Sequence, residues 1–457
     1  MRGTFLKRGE RVSEIYQAIW SISDNLRGAV DGWDFKNYVL GAMFYRYIAP
    51  ERFCKALESQ NIEETLKEDF RDIETATGYT KLFADFDVSS KKLGATLERR
   101  QERLKKLLHG VAIMKYENDA LGDAYEYLMS MYASNAGKSG GEYFTPPEVS
   151  ELLTRLGTVS VSEVKKVYDP SCGSGSLLLK ALKVLGRDHV GGVYGQEINP
   201  TTYNLCRMNM LIHGVKFQIA CEDTLIHPQL QEYAPYELIV SNPPYSVRWA
   251  GSDKSELKED PRYAPAGTLA PKSKGDLAFV MHSLSCLSDD GTAVIVCFPG
   301  VMYRGGAEQA IRKYLVENNF VDSVIQLPKN LFFGTSIATS ILILKKQRTN
   351  KQILFIDASQ EYEADTKRNH LKATNIDKIV SAYKERIEEA KFSSLVNIQD
   401  IVSEDYNLSV GRYVIPDESG SEIDISALNV KVRELTARHL EVSKEIDALI
   451  EELERSI

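Results

Sequence analysis

The sequence predicts an α/β protein with an N-terminal all-helical domain, a central doubly wound sheet domain and a C-terminal helical tail. Two observations carry this prediction. Apolar residues recur at helical spacing towards both ends of the chain, and short β-prone runs alternate with helical patterns between them. Such alternation is typical of a parallel sheet covered by helices. The three segments are residues 1–137, 138–419 and 420–457.

The composition excludes several classes of protein. The chain is 43% hydrophobic and 26% charged, and no apolar run is long enough to span a membrane. The first residues lack the apolar core of a secretory signal. Six scattered cysteines and seven dispersed histidines form no metal-binding motif, and they suit a reducing cytoplasm. The formal net charge of −8 leaves the whole chain poorly equipped to hold a DNA duplex unaided.

The N-terminal segment, residues 1–137, contains one proline, Pro50. Helical periodicity is strongest over residues 12–19 and 121–132. The run "LERRQERLKKLLHG" (97–110) predicts a charged surface helix that ends at Gly110. These patterns together predict the all-helical domain.

The central segment contains a series of β-prone runs. The predicted strands cover residues 164–169, 189–198, 215–223, 236–241, 292–298, 321–327 and 336–346. Helical patterns over 176–186 and 201–214 follow the first two strands. Residues 251–275 are rich in Gly and Pro and predict a long loop that is either functional or disordered.

The turn after the first strand, "DPSCGSGSLL" (169–178), is a candidate ligand site. Gly173 and Gly175 allow a tight backbone, and a helix that begins near Ser176 directs its first N–H groups towards a polar ligand. Many ordinary strand–helix joints look similar. The turn matches neither the P-loop pattern nor GxGxxG.

Three acidic residues, Asp169, Glu197 and Asp223, follow the first three strands. Each alone could be a solvated carboxylate at a strand end. Together they would lie at the carboxyl edge of the sheet, where such folds bind ligands and where an acid at the second strand binds ribose hydroxyls. This pattern predicts a nucleoside-bearing cofactor. The missing phosphate signature favours S-adenosylmethionine over a dinucleotide.

The stretch "GKSGGEYFTPPEVSELL" (137–153) precedes the first strand. It predicts a helix with Thr145 as its N-cap and Pro146 at its first position. Its aromatic residues and glycines are compatible with a binding edge as well as with plain helix initiation.

The fourth strand runs into "NPPY" (242–245), which is either an ordinary strand exit or a site for a flat ring that bears an amino group. The Asn242 amide oxygen and the Pro243 carbonyl oxygen provide two acceptors for an –NH₂ group, and Tyr245 can stack on the ring. Accepting both hydrogens exposes the nitrogen lone pair to a sulfonium methyl. A base in a duplex would first have to be flipped out.

The tail carries an apolar stripe at alternating spacings of four and three. Its members are Leu428, Val432, Leu435, Val442, Ile446, Leu449 and Leu453. This pattern favours a helix that pairs with a partner helix, and the alternative is a terminal helix docked on its own domain.

Together these features resemble the modification subunit of type I restriction–modification systems, whose members are N6-adenine DNA methyltransferases with a Rossmann-like domain. The motifs that carry the resemblance are "GEYFTPPEV" (141–149), "DPSCGSGSLL" (169–178), "GQEI" (195–198), "NPPY" (242–245) and "SKGDLAFVMHSL" (273–284). No cysteine follows a proline, so the nucleophile of cytosine C5 methyltransferases is absent. Cys172 departs from the family pattern, and we expect a small buried thiol there.

The resemblance implies roles for individual residues. The S-adenosylmethionine site would be lined by Glu142, Tyr143, Phe144, Thr145, Pro146, Pro147, Ser174, Gly175 and Ser176. Glu197 would bind the ribose, Asp223 would lie near the cofactor's adenine, and the target adenine would be held by Asn242, Pro243, Pro244 and Tyr245.

The resemblance also implies partners. A separate specificity subunit would read the DNA sequence, with two methyltransferase subunits for each specificity subunit, and a restriction subunit can join the complex. Two alternatives stay open: methylation of a protein glutamine or an RNA base, and a non-catalytic scaffold.

Overall fold

The computed structural model describes residues 32–114, 125, 128, 145–332, 335–366, 368–414 and 425–455. The periodic stretch at 12–19 and most of the one at 121–132 lie outside these ranges. The chain forms two compact units, Met1–Val414 and Ile415–Ile457. None of the helices in the described ranges is long and apolar enough to cross a lipid bilayer.

The N-terminal region is helical, as predicted. Its helices are α1 (Gly32–Ile48), α2 (Pro50–Glu58), α3 (Ile62–Thr77) and α4 (Leu97–Ala112). Thr96 caps α4 by accepting a hydrogen bond from the Arg99 N–H. The predicted surface helix is wrong in two respects. Helix α4 continues to Ala112, and it buries Leu104, Leu107, Leu108 and Val111 because apolar residues at this spacing share one face.

The central region alternates helices and strands. In chain order the elements are α5 (Pro147–Gly157), β1 (Val164–Asp169), α6 (Ser176–Leu185), β2 (Val190–Glu197), α7 (Pro200–Ile212), β3 (Phe217–Cys221), β4 (Tyr236–Ser241), α8 (Asp276–Cys286), β5 (Leu287–Cys297), α9 (Ala307–Glu317), β6 (Val321–Gln326), β7 (Ser340–Leu344), β8 (Gln352–Asp357), α10 (Ala373–Glu385), β9 (Ser393–Asn397) and α11 (Ile398–Ser403). All the predicted strands form, and the α/β class is confirmed.

These strands form one sheet in the order β3-β2-β1-β4-β5-β7-β6-β8-β9. Strands β1 to β5 are mutually parallel, whereas β7 is antiparallel to both β5 and β6. The prediction of a parallel sheet is therefore wrong at β7, and also at β9, which is antiparallel to β8. The described residues between β6 and β7 contain no crossover helix, which a parallel connection would need. The strand order reverses between β1 and β4, so the ends of these two strands border the topological switch point.

Helix α7 joins the N-terminal helices to the sheet. Its side chains Leu205, Met208 and Ile212 belong to the apolar core of the N-terminal helices. Its polar side chains contact Asp85, since the Thr201 hydroxyl and the Asn204 amide both donate to that carboxylate. The N-terminal helices are consequently packed against the helix that precedes β3.

Residues 251–275 form short 3₁₀ turns at Gly251–Asp253, Ser255–Lys258 and Ala264–Ala266. Leu257 and Tyr263 are buried in the core beside the sheet. The buried Arg262 forms an ion pair with Asp260 at 2.7 Å. Of the two expectations for this stretch, disorder is wrong: the loop packs through its own side chains.

The described part of the C-terminal unit is one long helix, α12 (Ile425–Arg455). The stripe residues whose side chains are described, Val432, Leu435, Val442 and Ile446, are between 46% and 61% exposed. The helix therefore presents these apolar side chains at its own surface, and the choice between a partner helix and docking stays a prediction.

Candidate functional site

The Gly-rich turn between β1 and α6 has the tight backbone that the sequence predicts. Gly173 and Gly175 adopt φ values of +54° and +78°, which favour glycine. A Cβ on Gly175 would lie 2.4 Å from Met210 Cε, whereas space is open above Gly173. Helix α6 begins at Ser176, and the Asn209 amide donates to the Ser174 carbonyl at 3.0 Å. Helix α7 thus fixes the shape of the turn.

Cys172 is buried, as expected for the one departure from the family pattern. Its Sγ lies 4.0 Å from Cys206 Sγ on α7. A Cβ on Gly195 would lie only 2.8 Å from the Cys172 side chain, so the residue there must be small. The contact with the Cys206 thiol, together with burial, holds the pKa of Cys172 well above its ordinary value.

Asp169 ends β1 and is almost completely buried. Its Oδ1 accepts hydrogen bonds from the Ser171 N–H at 3.0 Å and from the Ser241 hydroxyl at 2.9 Å. Burial raises the pKa of Asp169 to about 7 although these bonds favour the charged form. Sequence reasoning missed Ser241, the last residue of β4, which ties the ends of β1 and β4 together.

Glu197 ends β2, and its carboxylate holds two loops. One oxygen accepts from the Gly173 N–H at 3.0 Å and the other accepts from the Asn199 N–H at 2.8 Å. Glu197 therefore contacts the Gly-rich turn directly, at the edge where the sequence predicts a cofactor.

Asp223 lies two residues beyond the end of β3, not at the strand end itself. Its Oδ1 accepts from the Leu225 N–H at 2.9 Å. Arg262 supports the same turn by donating to the Thr224 carbonyl at 2.8 Å and to the Leu225 carbonyl at 3.0 Å. The 251–275 loop thus supports the segment that carries Asp223. This contact joins distant segments, so no local sequence pattern predicts it.

Asn242 follows β4 and is held by two side chains. Its amide donates to the Thr145 hydroxyl at 3.0 Å, and its carbonyl oxygen accepts from the Tyr245 hydroxyl at 2.7 Å. The sequence predicts Thr145 as the N-cap of α5, and this prediction is wrong. Helix α5 begins at Pro147 with Pro146 as its N-cap and without a side-chain cap bond. The Thr145 hydroxyl is buried and committed to Asn242 instead.

The remaining residues of the motif lie in the same turn. Pro243 is buried and Pro244 is half-buried. The Tyr245 ring packs edge-on against Phe332, with centroids 6.3 Å apart. Ser246 has a φ of +50°, and its N–H donates to the buried carboxylate of Asp276, at the start of α8. The "SKGDLAF" segment thereby acquires a structural role: it anchors the turn.

The structure therefore brings the predicted residues to one edge of the sheet around the switch point. After the roles predicted from the sequence, we call Asp169, Gly173, Glu197 and Asp223 the cofactor side, and Asn242 and Tyr245 the target side. We add Thr145 and Phe332 to the target side because they contact Asn242 and Tyr245, although the sequence analysis places Thr145 in the cofactor site. Glu142, Tyr143 and Phe144 lie outside the described residues. An amide oxygen has two lone pairs, so Asn242 Oδ1 can accept a second hydrogen bond while it accepts the one from Tyr245.

Comparison with known proteins places this geometry in context. A family model described as N-6 DNA methylase matches residues 116–422, and one described as HsdM N-terminal domain matches residues 15–52. The Type I restriction enzyme MpnII methylase subunit of Mycoplasma pneumoniae is 44% identical over 98% of this chain and 97% of its own length. The HindI methylase subunit of Haemophilus influenzae is 31% identical over 70% of this chain and 73% of its own.

A solved structure gives the same result. The methyltransferase subunit of a type I restriction–modification system from Streptococcus thermophilus is 36% identical and matches with a TM-score of 0.81. The match covers 88% of this chain and 99% of that one. The similarity thus extends through both the sheet and the helices that precede it.

Proposed function

The chain belongs to the N-6 DNA methylase family, among the methylase subunits of type I restriction enzymes, and from this premise we propose that it transfers a methyl group from S-adenosylmethionine to N6 of adenine in DNA. The observation that carries the proposal is the placement of Asn242 between Thr145 and Tyr245 at the end of β4, next to the end of β1.

The cofactor side fits S-adenosylmethionine by the chemistry of its donors and acceptors. The Glu197 carboxylate is an acceptor suited to ribose hydroxyls, and open space lies above Gly173 beside it. When bound, the cofactor would supply a methyl group on a sulfonium sulfur. Glu142, Tyr143, Phe144 and the turn at 173–176 would complete this site, with Asp223 near the adenine of the cofactor.

The target side would act by positioning an amino group. Asn242 Oδ1 and the Pro243 carbonyl oxygen would each accept one N6 hydrogen of the target adenine, and Tyr245 would stack on the base. These acceptors favour a tetrahedral nitrogen with an exposed lone pair. Held by these oxygens, the nitrogen would accept the methyl group that the cofactor supplies, and the electrons of the broken carbon–sulfur bond would stay on sulfur. N6 would then lose one proton to solvent water. Orientation and electrostatics would supply most of the rate gain.

The net charge of −8 supports a division of labour within a complex. A specificity subunit would recognise the double-stranded site, two copies of this chain would join each specificity subunit, and a restriction subunit would complete the nuclease. The target adenine would be flipped out of the duplex. The segments 1–137, 138–419 and 420–457 would serve as the N-terminal helical domain, the methyltransferase domain and the assembly helix.

The test is a methyl-transfer assay with labelled S-adenosylmethionine and duplex DNA, run with and without the specificity subunit. We expect N6-methyladenine in DNA, and only with the specificity subunit present. Label on cytosine, on protein glutamine or on RNA would refute the proposal, and the last two would support the alternatives. If the assembled complex fails to bind S-adenosylmethionine in calorimetry, the chain is a scaffold.

The assembly helix has its own test. Deletion of residues 427–457 removes most of α12, including its apolar stripe, and leaves the sequence of the sheet domain intact. We expect the shortened chain to fold and to lose co-purification with the specificity subunit. Unchanged co-purification would contradict the proposed role.

A further inference from the structure

We propose that Glu148 and Arg368 are positioning residues that hold the aromatic part of the target side in place, an inference that rests on the proposed function. Arg368 Nη1 lies 2.6 Å from Glu148 Oε1. The two side chains are only 11% and 16% exposed, so the pair is shielded from solvent. Glu148 lies in the motif at 141–149 but has no role assigned to it there, and Arg368 lies in none of the motifs.

The guanidinium of Arg368 also orders the loop after β6. The same Nη1 donates to the Leu331 carbonyl at 3.1 Å. Its neighbour Asn369 adds two bonds to this loop: its side chain donates to the Lys329 carbonyl and its N–H donates to the Asn330 carbonyl. The loop is thereby fixed immediately before Phe332.

Phe332 connects this loop to the other residues of the target side. It is fully buried and meets Tyr245 edge-on at an interplanar angle of 83°. The Tyr245 hydroxyl donates to Asn242, which in turn donates to Thr145. Thr145 stands three residues before Glu148, where the path began.

The contacts therefore form a closed chain across four segments, which are the start of α5 and three loops. Its members are Thr145, Glu148, Arg368, Leu331, Phe332, Tyr245 and Asn242. In a closed chain, each residue is held by contacts on two sides. The ion pair is the contact that joins the start of α5 to the loop after β6. Its loss would free Phe332 and allow the Tyr245 ring to turn away from the plane in which it stacks on a base. Displacements near 1 Å at reacting groups cost up to about 100-fold in rate.

Glu148 has a second partner, which affects the choice of variants. His370 Nδ1 lies 3.2 Å from the same Glu148 oxygen, and His370 Nε2 lies 3.4 Å from Asp365. Loss of Arg368 therefore leaves Glu148 with one neighbouring donor. An Arg368 substitution should disturb the loop more than it disturbs the start of α5.

The experiment compares Arg368→Met, Arg368→Lys and Glu148→Gln in the assembled complex. The matched control is Arg155→Met, because Arg155 pairs with Asp377 at 2.8 Å and joins α5 to α10 away from the target side. We expect Arg368→Met and Glu148→Gln to lower kcat about 10- to 100-fold with cofactor affinity unchanged. Arg368→Lys should recover part of the rate, since one ammonium cannot reproduce the guanidinium geometry. The control should match the wild type.

A spectroscopic measurement separates positioning from general destabilisation. DNA with 2-aminopurine in place of the target adenine reports stacking of the flipped base, because stacking quenches its fluorescence. The fluorescence of 2-aminopurine should be higher with the Arg368→Met complex than with the wild-type complex. With Arg155→Met it should equal the wild-type value. Wild-type kcat and quenching in Arg368→Met, or equal losses in the control, would overturn the inference. If Arg368→Met does not assemble, Glu148→Gln decides by the same criteria. Absence of transfer by the wild-type complex would instead refute the proposed function.

Discussion

The cofactor side and the target side share one edge of one sheet but are held by different kinds of contact. On the cofactor side, Asp169, Glu197 and Asp223 each accept a hydrogen bond from the backbone N–H two residues further along the chain. Asp169 and Glu197 also accept one bond each from Ser241 and Gly173, which are distant in sequence. On the target side, side chains pair across 97 residues between Thr145 and Asn242.

This difference has physical consequences. Local backbone contacts form as soon as the turn forms, and they place negative charge at the edge of the sheet. The hydrogen bonds that Asn242 makes on the target side are between neutral side chains, and they depend on the packing of several loops. The cofactor side should therefore respond to pH and charge, and the target side to the shape of its side chains.

The largest expected effect tests the charge of the cofactor side. Burial raises the folded-state pKa of Asp169 to about 7, so the folded protein favours the neutral carboxyl. The free energy of unfolding should therefore fall as the pH rises from about 4, where the unfolded chain ionises, through 7. Asp169→Asn should raise stability at pH 8 by up to about 4 kcal/mol, at roughly 1.4 kcal/mol for each pKa unit. Thermal unfolding of the cofactor-free protein at pH 5.5 and pH 8.5 should show a difference that grows with pH.

Asp322 provides a control of opposite sign. Burial disfavours its charge, but Lys345, Arg348 and Arg386 outweigh burial and hold the pKa of Asp322 below its ordinary value. This contribution is present above the unfolded-state pKa, so Asp322→Asn should lower stability at pH 8. The same sign for both variants would contradict the distinction between a desolvated and a paired carboxylate.

The second prediction concerns the target side. Asn242→Ala removes the amide oxygen proposed to accept an N6 hydrogen, together with its bonds to Thr145 and Tyr245. We expect kcat to fall about 100- to 1,000-fold, as when one positioned hydrogen-bonding group is lost from an active site. Cofactor affinity, measured by calorimetry on the complex, should stay within about twofold. Loss of cofactor binding would show that the two sides are one structural unit.

The same comparison explains how much could be predicted from sequence. Glu197 and the Gly-rich turn were predictable because strand ends and glycine turns are local signals. Thr145 looked like a helix cap because local sequence favours that role, yet its partner is Asn242 on a distant strand. Strands β8 and β9 were missed. A five-residue strand such as Ser393–Asn397 offers too few residues to show a period, and its pairing with β8 follows from the assembled sheet.

The third prediction concerns the cofactor side, where a substitution should lower cofactor affinity and spare the rate, the reverse of Asn242→Ala. Glu197→Ala should weaken S-adenosylmethionine binding about 10- to 100-fold, because charge-assisted hydrogen bonds contribute about 1.5–3 kcal/mol each. Glu197 also holds the Gly173 N–H, so the turn itself should loosen. The rate at saturating cofactor should change only a few-fold. Glu197→Gln keeps one acceptor oxygen, so its affinity for the cofactor should lie between those of the wild type and Glu197→Ala. A loss of rate in Glu197→Ala equal to that of Asn242→Ala would remove the distinction between the two sides.

The smallest expected effect isolates a single contact on the target side. Thr145→Val keeps the shape of the side chain but removes the hydroxyl that accepts from the Asn242 amide at 3.0 Å. An unpaired amide in this partly buried turn should lower kcat about tenfold, which corresponds to the loss of one hydrogen bond of about 1–1.5 kcal/mol. Thr145→Ser retains the hydroxyl and should keep most of the rate. A loss of rate in Thr145→Ser but not in Thr145→Val would mean that Thr145 acts through its methyl group, and that shape alone orients Asn242.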